Sequence, residues 1–171
     1  MAVNSTDLLI DAFGRISECV EEVLDGIGDD DLVARVDAEA NSIGWLVWHL
    51  TRVQDDHIAG AAGLDQVWFA DGWQERFKLP YAPEAIGYGQ SSAEVAEFRG
   101  VPVRMLEQYH HAVHEQTRRY LKGLDEGDLD RVVDGSYRPP VTLAVRLVSV
   151  VSDDLQHVGQ AAYIRGLLQR R

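Results

Sequence analysis

Four long segments of this chain return apolar residues at three- and four-residue steps, and none sustains the period-two alternation of a half-buried strand. In the first, residues 5–27, Leu8, Leu9, Phe13, Ile16, Val20 and Leu24 share one face. The second runs from Ile43 to Ala62, behind a cap at Asn41 or Ser42. A capping box of Ser91 and Glu94 opens the third, which is expected to bend at Pro102 and continue to Leu124. The fourth covers Thr142 to Leu168, with Leu143, Leu147, Val150, Val158, Ala161 and Ile164 along its stripe. Four amphipathic helices must bury their stripes against one another, which predicts an all-α four-helix bundle. A length of 171 residues fits one domain over 1–171.

The connections are uneven. A polar stretch containing Gly28 to Leu32 joins the first two segments, and an acidic stretch over 125–135 precedes Pro139 and Pro140. Between the second and third segments lies a long crossover, Gly63 to Gln90, with Pro80, Pro83 and several glycines. Its aromatics, Trp68, Phe69, Trp73, Phe77 and Tyr81, argue for a segment that packs over one end of the bundle.

Sixteen Lys plus Arg against 28 Asp plus Glu give a net charge of −12, which repels phosphate backbones and anionic membranes, so nucleic acid and membrane are not expected partners. The start, Met1 to Phe13, lacks the basic head and apolar run of a signal peptide, and no stretch reaches the roughly 20 apolar residues of a membrane span. The single cysteine, Cys19, sits in the apolar pattern of the first segment, reads as an inert buried thiol, and fits a reducing, cytoplasmic setting.

Two histidines break the apolar stripes. On the second segment, Trp45, Val53 and Asp56 lie within about 40° of His49; on the fourth, Val150, Asp153, Ala161 and Ile164 lie within about 40° of His157. Asp153 and His157 are four residues apart, so their side chains meet on adjacent turns, the spacing that helical metal sites use. Two imidazoles and a carboxylate would suit a divalent ion, zinc first, with nickel, iron or manganese as alternatives, and would leave positions open for water or substrate. The plain reading stands beside it: buried histidines commonly bond a backbone carbonyl or a carboxylate, and Asp153 could pair with Arg146.

The stretches Asn41 to Ile58, NSIGWLVWHLTRVQDDHI, and Asp153 to Gln160, DDLQHVGQ, resemble the two signatures of the DinB-like superfamily, closest to its actinobacterial branch of mycothiol-dependent enzymes and mycothiol transferases. The resemblance implies a bundle of up-down-down-up order and a metal held by three histidines, with His49 and His157 matching the first and last ligands. The middle ligand is usually a histidine, and here it is Asp153. The resemblance also implies that mycothiol, or a similar low-molecular-weight thiol, is activated as a metal-bound thiolate for S-transfer to, or isomerisation of, a small electrophile. A non-catalytic metal- or ligand-binding stress-response bundle is the alternative, and a homodimer is a further expectation.

Around the three ligands, Asp56 would accept a hydrogen bond from a ligand imidazole, and His57, Asp154, Gln160 and Trp45 would edge the pocket. Trp45 and Trp48 read equally as core. A second group, His110, His111 and His114, has Glu107, Gln108, Glu115 and Gln116 beside it, and is expected on a solvated face.

Overall fold

Asn4 opens the first helix: its side chain accepts the Asp7 N–H (2.8 Å), and the Asp7 carboxylate accepts the Asn4 N–H (3.2 Å). The computed structural model describes residues 4–170, so Met1 to Val3, the head of the stretch compared with a signal peptide, and Arg171 lie outside it. Helix α1 is Ser5–Leu24, ending three residues before the expected boundary where Asp25 turns extended. The polar connection that follows is not all loop. Asp29–Val33 forms a short helix, α2, because three aspartates favour its N-terminal turn and Leu32 is drawn fully into the core.

Helix α3, Ile43–Ala62, is capped by Ser42, whose hydroxyl accepts the Trp45 N–H (3.2 Å), and stops at Gly63 in the left-handed conformation (φ 66°). Every residue from Ser42 to Asp55 is buried. Such a helix has no solvent face and must be covered on all sides. Two long helices supply part of the cover: α7, Val103–Lys122, and α8, Leu143–Leu168, each pack against both α1 and α3.

The crossover supplies the rest. It carries two short helices, α4 (Val67–Ala70) and α5 (Trp73–Phe77). Their aromatics interleave with α3 and α7: Trp68 lies 5.1 Å from Phe77 and 5.2 Å from Tyr109 between ring centroids, and Trp48 lies 5.2 Å from Tyr81. Phe69 stays partly out, at 43% exposed.

The third segment is two helices rather than one bent one. The Ser91–Glu94 capping box opens α6, Ser92–Ala96, which ends at Glu97; α7 starts afresh behind Pro102, whose missing N–H costs nothing at a helix start. Before α8, residues 125–135 include a 3₁₀ turn, Glu126–Asp130, and β1 (Val132–Asp134), which pairs antiparallel with β2 (Val141–Thr142). Among the described residues these are the only two strands, and no helix is long and apolar enough to cross a membrane.

Candidate metal centre

His49 on α3 and His157 on α8 meet with ring centroids 4.7 Å apart at an interplanar angle of 75°, and Asp153 sits one turn before His157. One ligand atom from each of the three lies within 4.8 Å of the others. The spacing that singled out these residues in the sequence therefore becomes a cluster in space.

Both imidazoles are held by the same device. The Nδ1–H of His49 donates to the carbonyl of Ile86, and that of His157 donates to the carbonyl of Asp153 (2.8 Å). Each ring is thereby fixed in the tautomer that leaves Nε2 bare, the arrangement in which imidazole serves as a metal ligand. The Asp153 carboxylate contributes an Oδ2 that is buried without a hydrogen-bond donor; its 3.4 Å approach to His157 Nδ1 is an ion-pair contact, because that N–H is already given to the carbonyl. An orphaned anionic oxygen clustered with two imidazoles whose Nε2 atoms make no hydrogen bond is a donor set that fits a divalent cation.

The electrostatics agree. Burial pushes His49 below the ordinary histidine value, favouring the neutral ring. The Asp153 carboxylate holds His157 above it. For Asp153 itself burial is the largest single influence and acts upward, but the adjacent imidazoles outweigh it and leave the carboxyl below its usual range.

The Ile86 carbonyl reaches His49 because Gly87 brings the crossover against α3. Gly87 has φ 95°, and a Cβ there would lie 2.6 Å from His49 Nδ1, 3.0 Å from Trp45 and 3.1 Å from Trp48. Trp45 stacks on His49 (centroids 4.8 Å, 19°) and donates its Nε1–H to Gln90 Oε1 (2.8 Å), so it walls the site.

The remaining pocket residues are placed differently. Asp56 does not support a ligand imidazole: it accepts from Gln66 Nε2 (2.8 Å) and pairs with His57 Nδ1 (3.1 Å), on a half-exposed edge. Asp154 is fully buried with neither oxygen partnered, and burial with Asp153 nearby pushes its carboxyl well above the usual range. Gln160 is exposed, with no hydrogen bond to the cluster among the described residues. Arg146, the rival partner for Asp153, pairs with Asp134 (3.2 Å).

The second histidine group departs from the expected solvated face. His111 is exposed, but His110 is buried at 2% exposure. The Thr51 hydroxyl donates to the Val47 carbonyl (2.7 Å), so its oxygen can accept from His110 Nδ1–H (3.1 Å). Burial then pushes His110 down to about 3. The polar neighbours in sequence point elsewhere around α7, so they did not report on this position.

Two buried groups that set this geometry were missed in the sequence. Asp55 accepts the N–H groups of Val67 (2.9 Å) and Trp68 (2.8 Å) and the Tyr109 hydroxyl (2.9 Å), while Arg52 reaches the Ala85 carbonyl (3.2 Å). Together they clamp both ends of the loop that presents Ile86 to His49. Their signal was an arginine and an aspartate three residues apart within a run, Ser42 to Asp55, that is buried throughout.

Fold and cluster define a class: a mainly helical protein with two imidazoles and a carboxylate converging between two long helices. The sequence model of the mycothiol-S-transferase family matches residues 8–170, and the chain belongs to that family. The chain is also similar to a conserved protein from Enterococcus faecalis, known from its crystal structure, with 30% identity over 99% of this chain and 100% of that one and a TM-score of 0.92. No curated protein matches it.

Proposed function

We propose that this protein is a divalent-metal-dependent transferase that joins mycothiol, or a similar low-molecular-weight thiol, through its sulfur to a small electrophile, the thiol proton and any leaving group of the electrophile being released. The chain would be a DinB-type four-helix bundle of up-down-down-up order, working in the cytoplasm. The observation that carries the reading is the convergence of His49, Asp153 and His157 within 4.8 Å, with two bare Nε2 atoms and an orphaned carboxylate oxygen. Family membership supports the thiol and the transfer.

His49, Asp153 and His157 would hold the cation, zinc first, with nickel, iron or manganese able to take the same donors. The bound ion supplies the positive charge that lets a coordinating thiol ionise at neutral pH. The chain's own residues do the rest. The Ile86 and Asp153 carbonyls hold each ring by Nδ1 and so leave Nε2 free to ligate, Trp45 shields one side, and Asp153 offsets part of the positive charge. An aspartate here makes the ion a weaker Lewis acid than three imidazoles would, so thiol activation should increase in Asp153→His.

Protein purified without a metal-affinity tag should carry close to one equivalent of a divalent metal by elemental analysis. It should also consume mycothiol when offered a small electrophile such as monochlorobimane, and lose that activity on chelation. Metal without thiol consumption would favour the non-catalytic binding alternative, and absence of both would overturn the reading.

Gly87 offers a sharper test of the support around His49. Gly87→Ala forces a Cβ into the 2.6 Å space beside Nδ1 and should displace the Ile86 carbonyl. Loss of such an outer partner typically costs about 10- to 100-fold in metal affinity. A competitive chelator titration reads this directly; unchanged affinity would show that the carbonyl does not orient the ligand.

A further inference from the structure

The buried histidine that the metal centre leaves unused borders a cavity between α1 and α7, two helices that contribute nothing to that centre. The cavity holds about 550 Å³, and His110, 2% exposed, forms part of its wall. His110 gives its Nδ1–H to Thr51 of α3, so the opposite edge of the ring, which carries Nε2, is turned away from α3 and into the α1–α7 interface. That Nε2 is buried without a hydrogen-bond partner. Burial keeps the ring neutral, down to about 3, so Nε2 is an acceptor that lacks a donor.

The rim carries charge of one sign. Glu18, Glu21, Glu22 and Asp25 stand at i, i+3, i+4 and i+7 on α1 and make a single exposed stripe, with Glu107 of α7 across the cavity. Like charges at these spacings destabilise a helix. The last three also sit at the C-terminal end of α1, where the helix dipole favours cations and the final turn has no basic residue. Among the described residues none of the five carboxylates forms an ion pair. The guanidiniums nearby are engaged elsewhere: Arg15 pairs with Asp11 (2.6 Å), and Arg165 donates to the backbone carbonyl of Asp25 (2.6 Å).

A single metal ion does not suit this pattern. Among the described residues only His49, Asp153 and His157 bring three ligand atoms within 4.8 Å of one another. The stripe from Glu18 to Asp25 instead spans about 10 Å of helix. Apolar side chains, Val20 and Leu24, line the same cavity. We infer that the α1–α7 cavity binds a linear aliphatic di- or polyamine, one ammonium donating to His110 Nε2, the others pairing with the carboxylate stripe, and the methylenes lying on Val20 and Leu24. Neighbouring carboxylates on the stripe have Cβ atoms about 5–6 Å apart, a separation that ammonium groups joined by short alkyl spacers can follow.

Isothermal titration calorimetry of the full chain with spermidine at low salt should show about one equivalent bound, with affinity falling as sodium chloride is raised. Butylamine, a single charge on a similar carbon chain, and magnesium chloride should each bind far more weakly. Glu18→Gln with Glu21→Gln should weaken spermidine binding by about tenfold, the effect of losing two ion pairs at a partly exposed site. Glu39→Gln with Glu84→Gln removes the same charge from other exposed positions and should change it little. His110→Leu should weaken binding with unchanged helical circular dichroism. No binding of spermidine, equal loss from both glutamine pairs, magnesium binding as tight as spermidine, or a folded His110→Leu that binds like the parent would each overturn the inference. If His110→Leu fails to fold, the two glutamine pairs decide it.

Discussion

His49→Ala and His157→Ala should each strip the protein of bound metal and abolish thiol consumption, while His110→Ala and His114→Ala leave metal content near that of the parent. The expected loss exceeds the roughly 10- to 100-fold typical when only a ligand's hydrogen-bond partner is removed, since two protein donors and water hold an ion far less firmly than three donors do. Asp153→Ala should weaken binding in the same direction. Elemental analysis and chelator titration check all five variants; equal loss from all, or none from any, would place the site elsewhere.

The pH dependence follows from the same geometry. A histidine must be neutral to ligate, so affinity falls as the medium becomes acidic. His157, held above its ordinary value by Asp153, protonates first as pH falls, and His49, pushed below by burial, protonates later. Metal loss should therefore begin on the neutral side of the usual histidine range and continue below it. Metal retention that is flat through that range would contradict ligation by these rings.

The clustering of His49, Asp153 and His157 was readable from the chain because all three break regular patterns, and a polar residue in a stripe of apolar ones has few inexpensive explanations. The four long helices were equally legible, since period alone marks them. What periodicity could not show is which side of a helix is covered by something other than another long helix. Asp56 projects close to His49 around α3 and so looked inward, yet Asp55, about 120° from His49 at 100° per residue, is the buried carboxylate. The crossover roofs that second face, and no wheel drawn on α3 contains the crossover. The Ile86 carbonyl was invisible for a simpler reason: a backbone group has no letter, and only the glycine that follows it hinted at a close approach.

Asp55→Ala is expected to be the most damaging single change to stability. Asp55 is 1% exposed and receives three hydrogen bonds, and Arg52, buried at 0%, stands 3.6 Å away with its planar group 4.9 Å over Trp68. Burial pushes the carboxyl up, against those donors and the guanidinium that favour its charge. Removing it leaves two N–H groups of α4, a tyrosine hydroxyl and a buried guanidinium short of partners. Breaking a buried pair in this way costs about 3–5 kcal/mol, a large part of the roughly 5–15 kcal/mol that holds a domain together. Urea denaturation should show that fall in midpoint, with Asp55→Asn intermediate because an amide keeps one acceptor oxygen. The double variant Asp55→Ala with Arg52→Met should recover part of the loss, since it removes the stranded charge as well. The same variant should lower metal affinity, because Arg52 holds the Ala85 carbonyl one residue before the one that orients His49. A cost under about 1 kcal/mol, the size of an ordinary net hydrogen bond, would mean that the aromatic cluster and not this pair secures the crossover over the metal centre.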